Sequence, residues 1–101
     1  MSKGIRIEAL KVGAPVEVTA AELAALLAGC ETVREVRPVL AGPIRILRRG
    51  AAVALQEESP RGELFLRRLG ALAEAEAILE DRLATYERMW DGCGCKVHYR
   101  E

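Results

Sequence analysis

The chain has 101 residues, 50% of them apolar and 30% charged, with basic and acidic side chains in equal number. This composition is typical of one globular domain and unlike that of a disordered chain, and zero net charge argues against a general nucleic-acid binder. No apolar run approaches the ~20 residues of a membrane span, and the first residues lack the apolar core of a signal peptide. We therefore expect a cytoplasmic protein whose cysteines are reduced.

The first segments alternate between apolar and polar side chains. Residues 5–9 and 16–18 both show this period of two, which is typical of half-buried strands. The Gly-Ala-Pro sequence at 13–15 is a turn signal between them. The pattern predicts a short hairpin at the start of the chain.

A helix is predicted next by its start and stop signals. Thr19 and Glu22 have the spacing of a capping box, and leucines at helical spacing follow. Gly29 comes directly after the last of these periodic residues, as a C-cap does. We predict a helix over residues 20–28, then an edge strand within 32–40, because that segment contains a proline.

The middle of the chain predicts a hairpin whose loop is Arg49-Gly50. In that register Ile46 faces Val53. Ile44 then faces Leu55 on the same side of the sheet, so both apolar pairs pack together.

A long amphipathic helix is predicted over residues 60–90, with Ser59 as its N-cap and Pro60 in its first turn. Such a helix would be about 46 Å long, whereas a domain of this size is only about 33 Å across. Either it bends at Gly70, or its apolar stripe projects and binds a partner or a second copy. The alternative is that the stripe covers the sheet. The candidate interface residues are Phe65, Leu69, Leu72, Leu79, Leu83, Tyr86 and Trp90.

These elements together predict an α+β fold with a small, mostly antiparallel sheet of about five strands. One short helix and one long C-terminal amphipathic helix complete it. We expect residues 1–91 to form a single domain and residues 92–101 to form a Cys-Gly-Cys tail.

The tail carries the residues best suited to chemistry. Cys93, Cys95 and His98 lie within six positions, and thiolate and imidazole are the ligands that zinc, copper(I) and iron–sulfur clusters prefer. Cys30, a second copy or a partner protein could supply a fourth ligand. The alternatives are thiol-redox or sulfur-transfer chemistry on Cys93 and Cys95, or simple packing of the thiols as small apolar groups.

Charge is unevenly distributed along the chain. Residues 34–68 contain eight arginines and four glutamates, a balance of +4, whereas residues 74–91 contain six acids and two arginines, a balance of −4. This pattern fits a dipolar solvated surface or head-to-tail association. No nucleotide-binding loop or nucleophile motif is present, so the sequence favours a non-enzymatic accessory or adaptor protein over an enzyme, with a purely structural subunit as the remaining alternative. Nucleic acid is not an expected partner.

Overall fold

The computed structural model describes residues 5–38 and 41–92, with side chains described as far as Arg88. Five antiparallel strands form one sheet in the order β1-β5-β4-β3-β2. The strands are β1 (Pro15–Val18), β2 (Glu31–Val36), β3 (Ile44–Arg49), β4 (Ala52–Glu58) and β5 (Leu64–Leu69). The helices are α1 (Ala20–Gly29) and α2 (Leu72–Gly92). The predicted α+β class and antiparallel sheet are confirmed.

Both faces of the sheet are covered, so there are two apolar clusters. On the first face, α1 and a 3-10 turn at Ile7–Ala9 pack over Leu47, Ala54 and Leu66. On the second face, α2 packs over Ile46, Val53, Leu55 and Leu69. The central strand β4 supplies residues to both clusters and is buried from Ala52 to Gln56, which explains its nearly continuous apolar sequence.

The predicted first strand at residues 5–9 is wrong. Ile7–Ala9 form a 3-10 turn in which the Leu10 amide donates to the Ile7 carbonyl over 3.2 Å. The turn buries Ile7 completely on the first face of the sheet. An apolar-polar alternation of only five residues can therefore bury its apolar side chain without forming a paired strand. β1 pairs instead with the distant strand β5.

Helix α1 begins as predicted. The Thr19 hydroxyl accepts from the Glu22 amide over 3.1 Å, and the Glu22 carboxylate accepts from the Thr19 amide over 2.8 Å. Its end differs from the prediction by one residue, because Gly29 is the last helical residue and Cys30 is the C-cap. The following strand β2 lies at the sheet edge, as the proline in this segment indicates. Its register with β3 is irregular between Thr32 and Arg34.

The β3–β4 hairpin forms two residues out of the predicted register. Ile46 lies opposite Leu55, not Val53, because Gly50 and Ala51 occupy the loop. Gly50 has φ +59° and no non-glycine residue of the described chain has positive φ, which is the pattern of a type II′ turn. A shift of two keeps each side chain on its face, so the predicted apolar face survives the error.

The predicted helix over residues 60–90 is wrong in its first third. Ser59 belongs to the loop between β4 and β5, where its hydroxyl accepts from the amides of Arg61 and Glu63 over 3.1 Å each. Gly62 has φ +89°, a conformation that continues no helix. Strand β5 follows, and α2 starts only at Leu72, with the Glu74 carboxylate accepting from the Gly70 amide over 3.0 Å.

Neither helix within the described part of the chain is both long and apolar enough to span a bilayer.

Candidate functional site

The predicted metal ligands of the tail, Cys93, Cys95 and His98, lie outside the described residues. The structure does place the residue before them, because Gly92 is the last residue of α2. Helix α2 starts just after β5 and covers β3, β4 and β5. Its 21 residues extend for about 31 Å, so Gly92 lies at the opposite end of α2 from Leu72.

Cys30, the candidate fourth ligand, lies at the opposite end of the sheet from Gly92. It precedes β2, whose first residue Glu31 pairs with Arg48 near the β3–β4 loop. Its half-buried side chain packs against the cluster beneath α1, on the face that α2 does not cover. The fold therefore separates Cys30 from Gly92 by both the sheet and the length of α2. Burial raises the pKa of the Cys30 thiol; Arg49 acts in the opposite direction, while Glu8 adds to the increase.

Within residues 5–38 and 41–92, no three histidine, cysteine or acidic side chains come together in an arrangement that could hold a metal ion.

The predicted interface stripe belongs to two different elements. Phe65 and Leu69 lie on β5, whereas Leu72, Leu79, Leu83 and Tyr86 lie on α2. Leu79 is fully buried, and Leu72, Leu83 and Tyr86 pack against the same cluster on the second face of the sheet. The side chain of Trp90 lies outside the described set. The described stripe of α2 thus faces the chain's own sheet.

The polar side chains that flank the apolar stripe of α2 form ion pairs with the sheet. Arg34 of β2 lies 3.1 Å from Glu80 and 3.9 Å from Glu76. Arg82 of α2 pairs with Glu57 of β4 over 2.8 Å. Ion pairs therefore join the two halves of the sequence within one molecule, and Glu76 is an ion-pair partner of Arg34.

A groove opens where the second half of α2 crosses the first half of β5, and we call it the α2 groove. It has a volume of about 400 Å³, within the range of ligand pockets. Its apolar walls come from Pro15, Leu55, Pro60, Phe65 and Tyr86. Its charged groups are Glu57, Glu58, Arg67 and Arg82. Phe65 and Arg67 share a face because alternate residues of a strand point the same way.

Arg82 is a compensated cation in this groove. Its guanidinium donates to both carboxylate oxygens of Glu57, over 2.8 Å and 3.4 Å. The hydrogen bond to Glu57 raises the pKa of Arg82, against the opposing effect of burial. The pair fixes the second half of α2 onto β4 and contributes no net charge to the groove.

Arg67 is different, because among the described residues its guanidinium has no carboxylate within 4.0 Å. Its Nε is also buried without a hydrogen-bond acceptor in that part of the chain. Glu58 does not serve as the counter-ion: its carboxylate lies against Gly42, where an added Cβ would come within 2.5 Å of Oε1. Arg67 is therefore a cation of the groove without an ion-pair partner among the described residues, and it lies next to aromatic side chains.

This groove is not predicted from the sequence, because the helix predicted over residues 60–90 includes residues 64–69. A strand interpretation of Leu-Phe-Leu-Arg-Arg-Leu would have placed Phe65, Arg67 and Leu69 on one face and revealed a cation among apolar side chains. The aromatic partner Tyr86 comes from α2, and no local pattern connects it to Phe65.

Comparison with protein-family models, with curated proteins and with solved structures finds no match to the chain.

Proposed function

We propose that the chain is a non-enzymatic accessory protein whose Cys-Gly-Cys tail binds a metal ion through Cys93, Cys95 and His98. The observation that carries the proposal is the anchoring of α2. Leu79 is fully buried against the sheet, Tyr86 packs on the same cluster and Arg82 pairs with Glu57, so the helix is held on the sheet as far as Tyr86. Its last residue, Gly92, directly precedes Cys93. A metal bound by the tail would be held at one end of a rigid body.

The helix end favours metal binding over thiol-redox chemistry. The carbonyl end of a helix carries a partial negative charge, which stabilises cations and disfavours a free thiolate. A reactive cysteine needs a lowered pKa, usually from a helix N-terminus or nearby cations. Cys93 follows the C-terminal end of α2. The partial negative charge there would stabilise a bound metal cation and would destabilise the thiolate that redox chemistry needs.

The partner of such an accessory protein would contact the end of α2. The apolar face of α2 as far as Tyr86 packs on the chain's own sheet, which leaves that face unavailable. Residues 87–92 continue the helix for about 9 Å beyond Tyr86. Three tail ligands leave one position of a tetrahedral zinc site open, and a second copy or another protein would fill it.

Native mass spectrometry of the full chain, prepared anaerobically under reducing conditions, tests the proposal. We expect a mass increase matching zinc, copper or an iron–sulfur cluster, absent when Cys93 and Cys95 are both changed to serine. Cys30→Ala is the matched control and should keep the metal, because Cys30 lies at the other end of the sheet. Metal-free wild-type protein, or metal retained in the double variant, would overturn the proposal. A metal-free, reversible two-electron titration would support the redox alternative instead.

A further inference from the structure

We propose that the α2 groove binds a small organic carboxylate with an aromatic or branched apolar body. The carboxylate would accept hydrogen bonds from Arg67, and the body would lie against Phe65 and Tyr86. This site is separate from the tail and does not depend on whether the tail binds a metal.

Arg67 is the group of the groove that would select an anion. Arg82 is neutralised by Glu57 within 2.8 Å, whereas Arg67 has no counter-ion among the described residues and its buried Nε lacks an acceptor. A partly buried guanidinium without a partner is costly, because its lost hydration is not replaced. A ligand carboxylate in the groove would supply the missing charge, since carboxylates and guanidinium groups form strong, directional hydrogen bonds.

The same geometry favours a carboxylate over a phosphate. Phosphate sites usually combine several cations with backbone amides at a helix N-terminus or in a glycine-rich loop. Here the neighbouring helix contributes the side chains of Arg82 and Tyr86 from its interior and no backbone amides from its N-terminus. A single uncompensated arginine matches one negative charge.

The walls of the groove determine the polarity and size of the rest of the ligand. Phe65 and Tyr86 provide aromatic side chains, and Pro15, Pro60 and Leu55 add apolar surface. Aromatic rings prefer offset or edge-to-face contact with one another. A volume of about 400 Å³ suits a compact ligand with one ring or a branched chain.

The test is a titration of the full-length, isotope-labelled chain with 3-phenylpropionate, followed by amide chemical shifts. We expect saturable shifts at Phe65, Arg67 and Tyr86. The alcohol 3-phenylpropanol has the same body without the charge and should bind at least about tenfold more weakly, as expected for loss of a charged hydrogen bond. Absence of saturable shifts, or equal binding of acid and alcohol, would overturn the proposal.

Arg67→Gln should weaken binding of 3-phenylpropionate by about tenfold or more. Arg61→Gln is the matched control, because Arg61 is an exposed arginine in the neighbouring β4–β5 loop and should leave the affinity unchanged. Arg67→Lys keeps the charge but loses the planar donor set, so an intermediate affinity is expected. If Arg67→Gln does not fold, the role of Arg67 is tested by the affinity of Arg67→Lys and by the comparison of acid and alcohol binding to wild-type protein. Unchanged affinity in the folded Arg67 variants would contradict the assignment.

Discussion

Two hydroxyl side chains, Thr19 and Ser59, show how one chemistry produces different local structures. Each accepts hydrogen bonds from backbone amides two to four residues ahead. Thr19 starts a helix because Glu22 returns the bond and no residue of the following turn needs positive φ. Ser59 closes a hairpin loop because Gly62 takes φ +89° three positions later. The residues that follow the hydroxyl decide between a helix cap and a turn.

Cys30 is expected to titrate above the ordinary range of a thiol, because burial outweighs the attraction of Arg49. In a Cys93→Ser, Cys95→Ser variant it is the sole cysteine, so its alkylation by iodoacetamide reports one group. The midpoint of the rate against pH should be higher in the folded chain than in the urea-unfolded chain, where it should be about 8.5.

The stability contribution of Cys30 follows from the direction of this shift. The folded state holds the thiol proton to higher pH than the unfolded state does. The contribution is therefore fully present below the unfolded pKa and is lost as pH rises through that value toward the folded one. A folded-state midpoint at or below the unfolded one would contradict the expectation.

Glycine has opposite roles at the ends of two elements. Gly50 takes φ +59° in the β3–β4 loop, whereas Gly29 is helical and an added Cβ there would meet only Arg49 Nη1, at 3.8 Å. We expect Gly29→Ala to stabilise the fold by about 0.4–1 kcal/mol by restricting the unfolded chain. Gly50→Ala should destabilise it by about 1 kcal/mol or more, because alanine disfavours positive φ.

Urea unfolding of the two glycine variants measures this difference. The midpoint should rise for Gly29→Ala and fall for Gly50→Ala, with the denaturant slope unchanged in both. Each variant serves as the control for the other, since both add the same methyl group. Shifts of the same sign would show that φ is not the deciding factor at these two positions.

At the scale of the molecule, β4 joins the two apolar clusters. Leu26 of α1 belongs to the cluster on the first face and Leu79 of α2 to the cluster on the second. β4 is buried between them from Ala52 to Gln56. Because both clusters share this strand, loss of packing on either face should unfold the whole domain, as is usual for chains of this length.

Leu26→Ala and Leu79→Ala test this coupling. Both side chains are almost fully buried, so each substitution should cost about 2–5 kcal/mol. Far-UV and near-UV circular dichroism should follow one transition that moves to lower urea in both variants. Ala77→Ser, at an exposed position of α2, should change the midpoint only slightly. Two separate transitions, one sensitive to each leucine, would contradict the model of a single cooperative unit.

Features that have a local cause are predictable from the amino-acid sequence alone. The capping box of α1 depends on residues three apart, and the edge position of β2 follows from a proline near its end. The apolar face of the β3–β4 hairpin follows from a period of two and survives a register error of two residues. The composition and the order of these patterns were enough for the α+β class and the antiparallel sheet.

The remaining features depend on tertiary structure, because the local sequence fits a helix and a strand about equally well. Residues 64–69 carry leucines that fit either a helix face or two faces of a strand, and only pairing with β1 and β4 selects the strand. The α2 groove needs Phe65 and Arg67 from that strand and Tyr86 from α2, about twenty positions apart in sequence. No local rule joins such residues, since burial and charge compensation are properties of the packed chain. Tertiary contacts also bring Arg34 of the first half to Glu80 of the second, and Arg82 of the second half to Glu57 of the first.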